Sequence, residues 1–234
     1  MSKKGRSISF KGIVAGIVNS LLLKNIGIVI CRLMLSIGRK RPYYIYKTND
    51  YLRVSSLELV AYEIYENSIK GNVAELGVFR GDFAKYINVA FPDRKLYLFD
   101  TFEGFNEKDI AIEKQGNYFK NVHDFSNTNV ELVLGKCKIR ENCIIKKGYF
   151  PETVRGLEDS FAFVSIDVDL YEPIYNGLAY FYPRLERGGY IFIHDYNDCK
   201  IYTGVKEAVK KYCSKNYVAY FPLSDNSGSV VIMK

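Results

Sequence analysis

The ten residues Asn72-Val-Ala-Glu75-Leu-Gly77-Val-Phe79-Arg80-Gly81 decide the fold. A short apolar run, residues 72–79, enters a glycine-bearing turn, and residues 83–91 follow with the apolar spacing of a helix. Strand, glycine turn and helix together open a nucleotide-binding α/β sheet, because a backbone that passes close to a nucleoside needs positions without a β-carbon. Gly77 and Gly81 sit where such a turn requires them. Phe79 fills the middle position that a dinucleotide G-x-G-x-x-G gives to glycine. A diphosphate cradle is therefore not expected, whereas S-adenosylmethionine, a nucleoside without a diphosphate, is accommodated. Glu75 is expected to hold the loop or the ligand's ammonium, and Arg80 counts among the cofactor-binding positions.

The alternation continues on both sides. Residues 57–69 have helical spacing and end at Gly71, and residues 95–102 read as the next strand. That strand closes on Asp100, roughly 20 residues downstream, where an acid meets ribose hydroxyls. Residues 107–129 read as a polar insertion containing His123, a surface-loop residue. Beyond it come a helix at 130–138, a strand at 143–149, a strand at 161–167 (Phe-Ala-Phe-Val-Ser-Ile-Asp), a helix at 171–185, a strand at 190–194 and a helix at 205–212. Such alternation predicts a mostly parallel sheet with helices on both faces. Residues 217–223 and 229–233 are strand-like and joined by Ser224-Asp-Asn-Ser-Gly228, which makes a closing hairpin. The expected fold is α/β and Rossmann-like, of the class I methyltransferase kind. Its seven-stranded sheet is mostly parallel with a C-terminal antiparallel hairpin, and an N-terminal helical segment precedes it. Both the hairpin and Phe79 argue against a nicotinamide-dependent oxidoreductase.

At 234 residues the chain suits one α/β domain, residues 51–234, and an appendage, residues 1–50. The net charge of +7 is unevenly placed: residues 1–50 hold ten Lys/Arg against Asp50 alone, so the remainder is about −2. A basic nucleic-acid reader is thereby excluded for the main domain. Residues 13–37 are strongly apolar but interrupted by Lys24, Asn25 and Arg32, and the longest uncharged run, residues 12–23, falls short of the ~20 needed to span a bilayer. The segment is expected to be helical and to serve either as a subunit contact in a homo-oligomer or as a peripheral contact with an anionic membrane through residues 1–40. Five cysteines without metal spacing suit reduced thiols and a cytoplasmic location, at the inner face of the membrane if the peripheral contact holds.

Methyl transfer from a sulfonium requires that the acceptor oxygen lose its proton, to a positioned base or with help from a divalent ion. Asp167 lies just past a buried strand, and His194 and Asp195 end the neighbouring one, so all three reach the carboxyl edge where open α/β sheets bind ligands. Asp167 and His194 are the candidate catalytic residues. Asp169 reads as a cap for the helix that follows.

The run Phe99-Asp100-Thr101-Phe102-Glu103-Gly104-Phe105 resembles the D-[ST]-F-E-G segment of the macrocin O-methyltransferase (TylF-type) family. Gly148-Tyr-Phe-Pro151-Glu-Thr153, Asp167-Val-Asp169-Leu-Tyr171-Glu172, Tyr182-Pro183-Arg-Leu185, Gly188-Gly189-Tyr190, His194-Asp195-Tyr196 and Gly204-Val205-Lys206-Glu-Ala208-Val209 continue the likeness in order. The resemblance implies an S-adenosylmethionine-dependent O-methyltransferase acting on sugar hydroxyls with Mg²⁺. The acceptor would be a small molecule or glycan, a polysaccharide precursor among them. It adds Thr101, Phe102 and Gly148 to the cofactor site and places metal ligands at Asp167, His194 and Asp195. His194 departs from the family's acid, and Mg²⁺ prefers oxygen, so the alternatives are weaker Mg²⁺ binding, Mn²⁺, or His194 as a base without metal. The competing functions are a non-catalytic scaffold of the same fold and a small-phenol O-methyltransferase.

Overall fold

The computed structural model describes residues 10–26, 50–118, 123–198 and 201–234. The chain divides into two compact units, Met1–Arg41 and Pro42–Lys234. Of the first, the structure describes one helix, α1 (Phe10–Ile26), whose Val14, Ile17, Val18, Leu21, Leu23 and Ile26 are exposed. No helix among the described residues is long and apolar enough to cross a membrane.

The second unit alternates as the sequence predicts. It runs α2 (Tyr51–Glu66), β1 (Asn72–Leu76), α3 (Ala84–Ala90), β2 (Leu96–Asp100), α4 (Glu107–Gly116), α5 (Val130–Lys136) and β3 (Cys143–Lys147). Then follow β4 (Phe161–Ile166), α6 (Tyr171–Arg184), β5 (Leu185–Ile193), α7 (Gly204–Asn216), β6 (Tyr220–Pro222) and β7 (Val230–Met233). The sheet order is β3-β2-β1-β4-β5-β7-β6. Pairing is parallel throughout except along β7, which is antiparallel to both β5 and β6.

Two apolar layers cover the sheet. All six residues of β4 are buried, as a central parallel strand with helices on both faces requires. Phe161 and Phe163 point to opposite sides and join different core clusters. Each fully buried phenylalanine contributes about 1.5–3 kcal/mol over leaving it exposed. Cys137 and Cys213 are buried and, with Cys143, free of disulfides; Cys31 and Cys199 lie outside the described residues.

Three boundaries differ from expectation. Helix α2 begins at Tyr51 rather than near residue 57, because the Asp50 side chain accepts the Arg53 N–H and caps its first turn. Within the insertion, Glu107–Gly116 is a helix, capped by Asn106 and burying two acids, Asp109 and Glu113. Strand β5 already starts at Leu185, and its pairing with β4 shifts register between Phe161 and Phe163, which takes up Gly188 and Gly189.

Candidate active site

The sheet order reverses between β1 and β4, and the carboxyl ends of β1, β2, β4 and β5 share one edge beside that point. This is the crevice where open α/β sheets take their ligands. Each loop leaves its strand in register with the neighbour: Gly77 N–H bonds Phe99 O (2.9 Å), Asp167 N–H bonds Leu76 O (2.8 Å), and His194 N–H bonds Ile166 O (3.0 Å). A cavity of about 680 Å³ opens there. Nine carboxylates line it against two basic side chains, Arg53 and Lys85, so the cavity suits a cationic ligand.

Asp100 shapes the loop after β1. Its Oδ2 accepts N–H bonds from Val78 and Phe79, both 2.8 Å, and its Oδ1 accepts from Phe102 at 2.7 Å. A carboxylate has about four acceptor sites, which leaves one on Oδ1 for a ligand hydroxyl. These bonds hold Phe79 in the left-handed region at φ 46°, a costly conformation for a bulky residue. Gly77 and Gly81 serve packing as well as the ligand. A β-carbon on Gly77 would strike the Asp167 backbone, and one on Gly81 would meet Val133 at 3.1 Å.

Of the expected cofactor residues, Glu75, Gly77, Asp100, Thr101 and Gly148 line the cavity; Arg80, Gly81 and Phe102 do not. Phe102 is instead core, and Arg80 has no place in the lining. Glu75 is 1% exposed, and its Oε2 has no hydrogen-bond partner. Burial pushes its carboxyl well above the usual range; Arg53 opposes this, while Asp167, Cys137 and Asp100 add to it. An orphaned acid at the cavity floor is a seat for an ammonium or a hydrogen-bond donor.

Asp167, His194 and Asp195 meet as expected, with one ligand atom from each lying within 4.8 Å of the others. His194 Nδ1 stands 2.7 Å from Asp195 Oδ2 and 3.2 Å from Asp167 Oδ1. Burial would lower the imidazole; Asp167 outweighs it against Arg53, and hydrogen bonds to Asp167 and Asp195 help raise it to about 10. Its Nδ1 thus lies between two carboxylates, an arrangement that favours the protonated imidazole and a positioning role beside Asp167 and Asp195. Burial would raise Asp167, but His194 and Arg53 hold it well below the usual carboxylate range, which makes it a poor base.

Two residues were not foreseen. Asp169 is no helix cap, since α6 has no side-chain cap and Leu170 precedes its first turn. It lines the cavity at φ 58° and shares a hydrogen bond with Asp195; burial and the charges of Asp167 and Asp195 push its carboxyl well above the usual range. Arg53 arrives from α2, 114 positions before Asp167 in sequence, and bonds Asp167 Oδ2 through Nη1 at 2.9 Å.

The insertion contributes Asp109 and Phe125 to the cavity lining. Phe105, Phe125 and Tyr202 line the cavity, and Phe125 packs edge-on against Phe79 and Phe105 with centroids 5.1 and 5.0 Å apart. His123 is exposed, as expected, and touches Phe125 and Tyr202. Helix α4 is pinned by Glu113 Oε1, which accepts the Tyr171 N–H at 2.5 Å, and Tyr149 donates to Asp109 at 2.7 Å.

Residues 35–226 match the family model described as Macrocin-O-methyltransferase (TylF). The chain is 26% identical over 187 residues to mycinamicin III 3''-O-methyltransferase of Micromonospora griseorubida, a match covering 71% of this chain and 70% of that protein. It is 23% identical over 198 residues to demethyldecarbamoylnovobiocin O-methyltransferase of Streptomyces niveus, covering 78% and 73%. The solved structure of the O-methyltransferase NovP superposes with a TM-score of 0.62 at 21% identity, covering 79% of this chain and 80% of that one.

Proposed function

The chain belongs to the macrocin O-methyltransferase (TylF) family and is an S-adenosylmethionine-dependent O-methyltransferase; we propose that its acceptor is a sugar hydroxyl on a glycan or glycosylated metabolite. The observation that carries this reading is the placement of two unlike acid groups across one crevice. Glu75 and Asp100 belong to β1 and β2, Asp167 and Asp169 follow β4 and Asp195 follows β5, and all five line the one cavity.

The residues present fit the cofactor. Glu75 Oε2, buried and unpartnered, would take its ammonium, the remaining Oδ1 site of Asp100 a ribose hydroxyl, and the acid-rich cavity its net positive charge. When bound, S-adenosylmethionine supplies an electrophilic methyl group on sulfur. The protein must then orient the acceptor and hold the proton it loses. The hydrogen-bonded pair Asp169 and Asp195, which lines the cavity, is placed to accept that proton, whereas Asp167 has both oxygens occupied. The lining residues Phe105, Phe125 and Tyr202 offer aromatic faces for the apolar side of a sugar ring and exclude water.

The divalent ion does not fit this donor set. Mg²⁺ takes oxygen ligands at about 2.1 Å in near-octahedral order. Here one of the three candidates is an imidazole, and each Asp167 oxygen already faces a side-chain cation. No step is therefore assigned to a metal.

The exposed apolar side chains of α1, within a segment carrying ten basic residues, support peripheral contact with an anionic membrane and hence a membrane-proximal acceptor such as a lipid-linked glycan. Titration calorimetry with S-adenosylhomocysteine tests the cofactor assignment. Wild type is expected to bind and Asp100→Ala to lose binding, since the variant frees three loop N–H groups. A folded wild type that does not bind would favour a scaffold.

A further inference from the structure

We propose that the Arg53 guanidinium and the His194 imidazole stand where a divalent ion would sit among the acids at the ends of β4 and β5, so that methyl transfer in this protein needs no metal. The inference rests on the methyltransferase reading and deepens it.

The position is set by three contacts. Asp167 Oδ2 receives Arg53 Nη1 at 2.9 Å, Asp167 Oδ1 lies 3.2 Å from His194 Nδ1, and Asp195 Oδ2 lies 2.7 Å from that same nitrogen. For Asp167 to ligate a metal it would have to release Arg53 or His194, and the Nδ1 of His194 is already engaged with both acids. Neither cation is loosely held. Arg53 is 6% exposed; its Nη2 bonds Ser165 Oγ at 3.1 Å, and its guanidinium lies 3.9 Å over the Phe83 ring. Its own backbone N–H is fixed by the Asp50 cap. Arg53 also faces buried Glu75, so swinging it away would leave two acids without their cation. His194 continues β5 by its bond to Ile166 O, which keeps the ring between the two aspartates.

The chemistry balances without a metal. The acceptor O–H bond breaks with its proton passing to the carboxylate of the hydrogen-bonded Asp169–Asp195 pair, the O–CH₃ bond forms, and the S–CH₃ bond breaks to leave the neutral thioether. The Arg53 guanidinium supplies positive charge beside the reacting oxygen, the electrostatic service a divalent ion gives elsewhere, and His194 bridges Asp167 and Asp195. They act as positioning residues, because they touch the acids and not the acceptor.

The experiment is a Mn²⁺ titration of the full chain, freed of metal with EDTA, followed by electron paramagnetic resonance and run beside S-adenosylhomocysteine calorimetry on the same sample. Wild type is expected to leave the free-ion Mn²⁺ signal unchanged and to bind S-adenosylhomocysteine equally with and without Mg²⁺. His194→Asp, which restores an oxygen ligand and removes a cation, is expected to sequester one Mn²⁺. One bound Mn²⁺ on wild type overturns the proposal, as does a His194→Asp protein that binds S-adenosylhomocysteine but no Mn²⁺. If His194→Asp does not fold, the wild-type titration decides alone. Loss of S-adenosylhomocysteine binding by wild type would instead sink the methyltransferase reading, so the two failures are distinguishable.

Discussion

Gly77 has no room for a side chain because the Asp167 carbonyl oxygen stands 1.9 Å from where its β-carbon would be. The turn after β1 and the strand end that carries Asp167 are thus built against one another. Gly77 also has φ +85°, which other residues adopt only at a cost. Gly77→Ala is expected to destabilise the protein by about 2–4 kcal/mol, as other strained backbone substitutions do. Urea denaturation measures this, and a change within experimental error would mean that the approach of the two loops is looser than described.

Asp169 offers a sharper test of the chemistry. Asp169→Asn keeps its size and removes its ability to hold a proton. Turnover is expected to fall about 10²–10⁴-fold, with S-adenosylhomocysteine affinity unchanged. Full activity in the variant would rule out Asp169 as the proton acceptor.

Glu113 predicts a pH effect on stability. Burial raises its carboxyl to about 7, with the Tyr171 N–H opposing and Asp109 adding. The folded value lies above the ordinary glutamate value of 4.5, so the unfolded chain gives up this proton first. The contribution is present below about 4.5 and is lost as pH rises through about 7. Glu113→Gln keeps an acceptor for Tyr171 and has no proton to lose. It should be more stable than wild type above neutrality and lack the slope between those values. An unchanged pH profile of denaturation midpoints would assign the slope to other groups.

The helix α1 predicts a surface behaviour. Deleting residues 1–40 is expected to release the protein from vesicles containing anionic lipid while leaving S-adenosylhomocysteine binding intact. Vesicle binding that survives deletion counts against the idea. A dimer that the deletion dissolves, in a chain that never bound vesicles, would assign the helix to a second copy of the protein.

What could be read from the residues followed from how the fold places them. Glu75, Asp100, Asp167, His194 and Asp195 each follow a recognisable apolar run, and strand ends gather at one edge of a parallel sheet. The alternation was equally legible, since β1, β2 and β4 are largely buried and read as mostly apolar stretches. Arg53 gave no such signal, because it comes from a helix whose start depends on a single cap at Asp50. Helix α4 was hidden for a different reason: it buries acids rather than apolar residues, so its period is invisible to hydrophobic patterning. Asp169 stood just before a helix and looked like its cap, and only the bend at φ 58° turns the carboxyl into the cavity. The shape of the aromatic lining depends on contacts between residues 79, 105, 125 and 202, which no local pattern contains.

The sheet order leaves β3 and β6 outermost, and both are poor templates for another chain. β6 is three residues long and ends in Pro222, which has no N–H to offer, while β3 ends in Lys146 and Lys147, which repel a like strand. Short edges, proline and lysine are the devices by which sheets avoid growing into fibres. A protein with this many buried aromatic residues can therefore reach high concentration without its sheets joining, and damage at Pro222 or Lys147 would surface first as aggregation, with the chemistry of the crevice still intact.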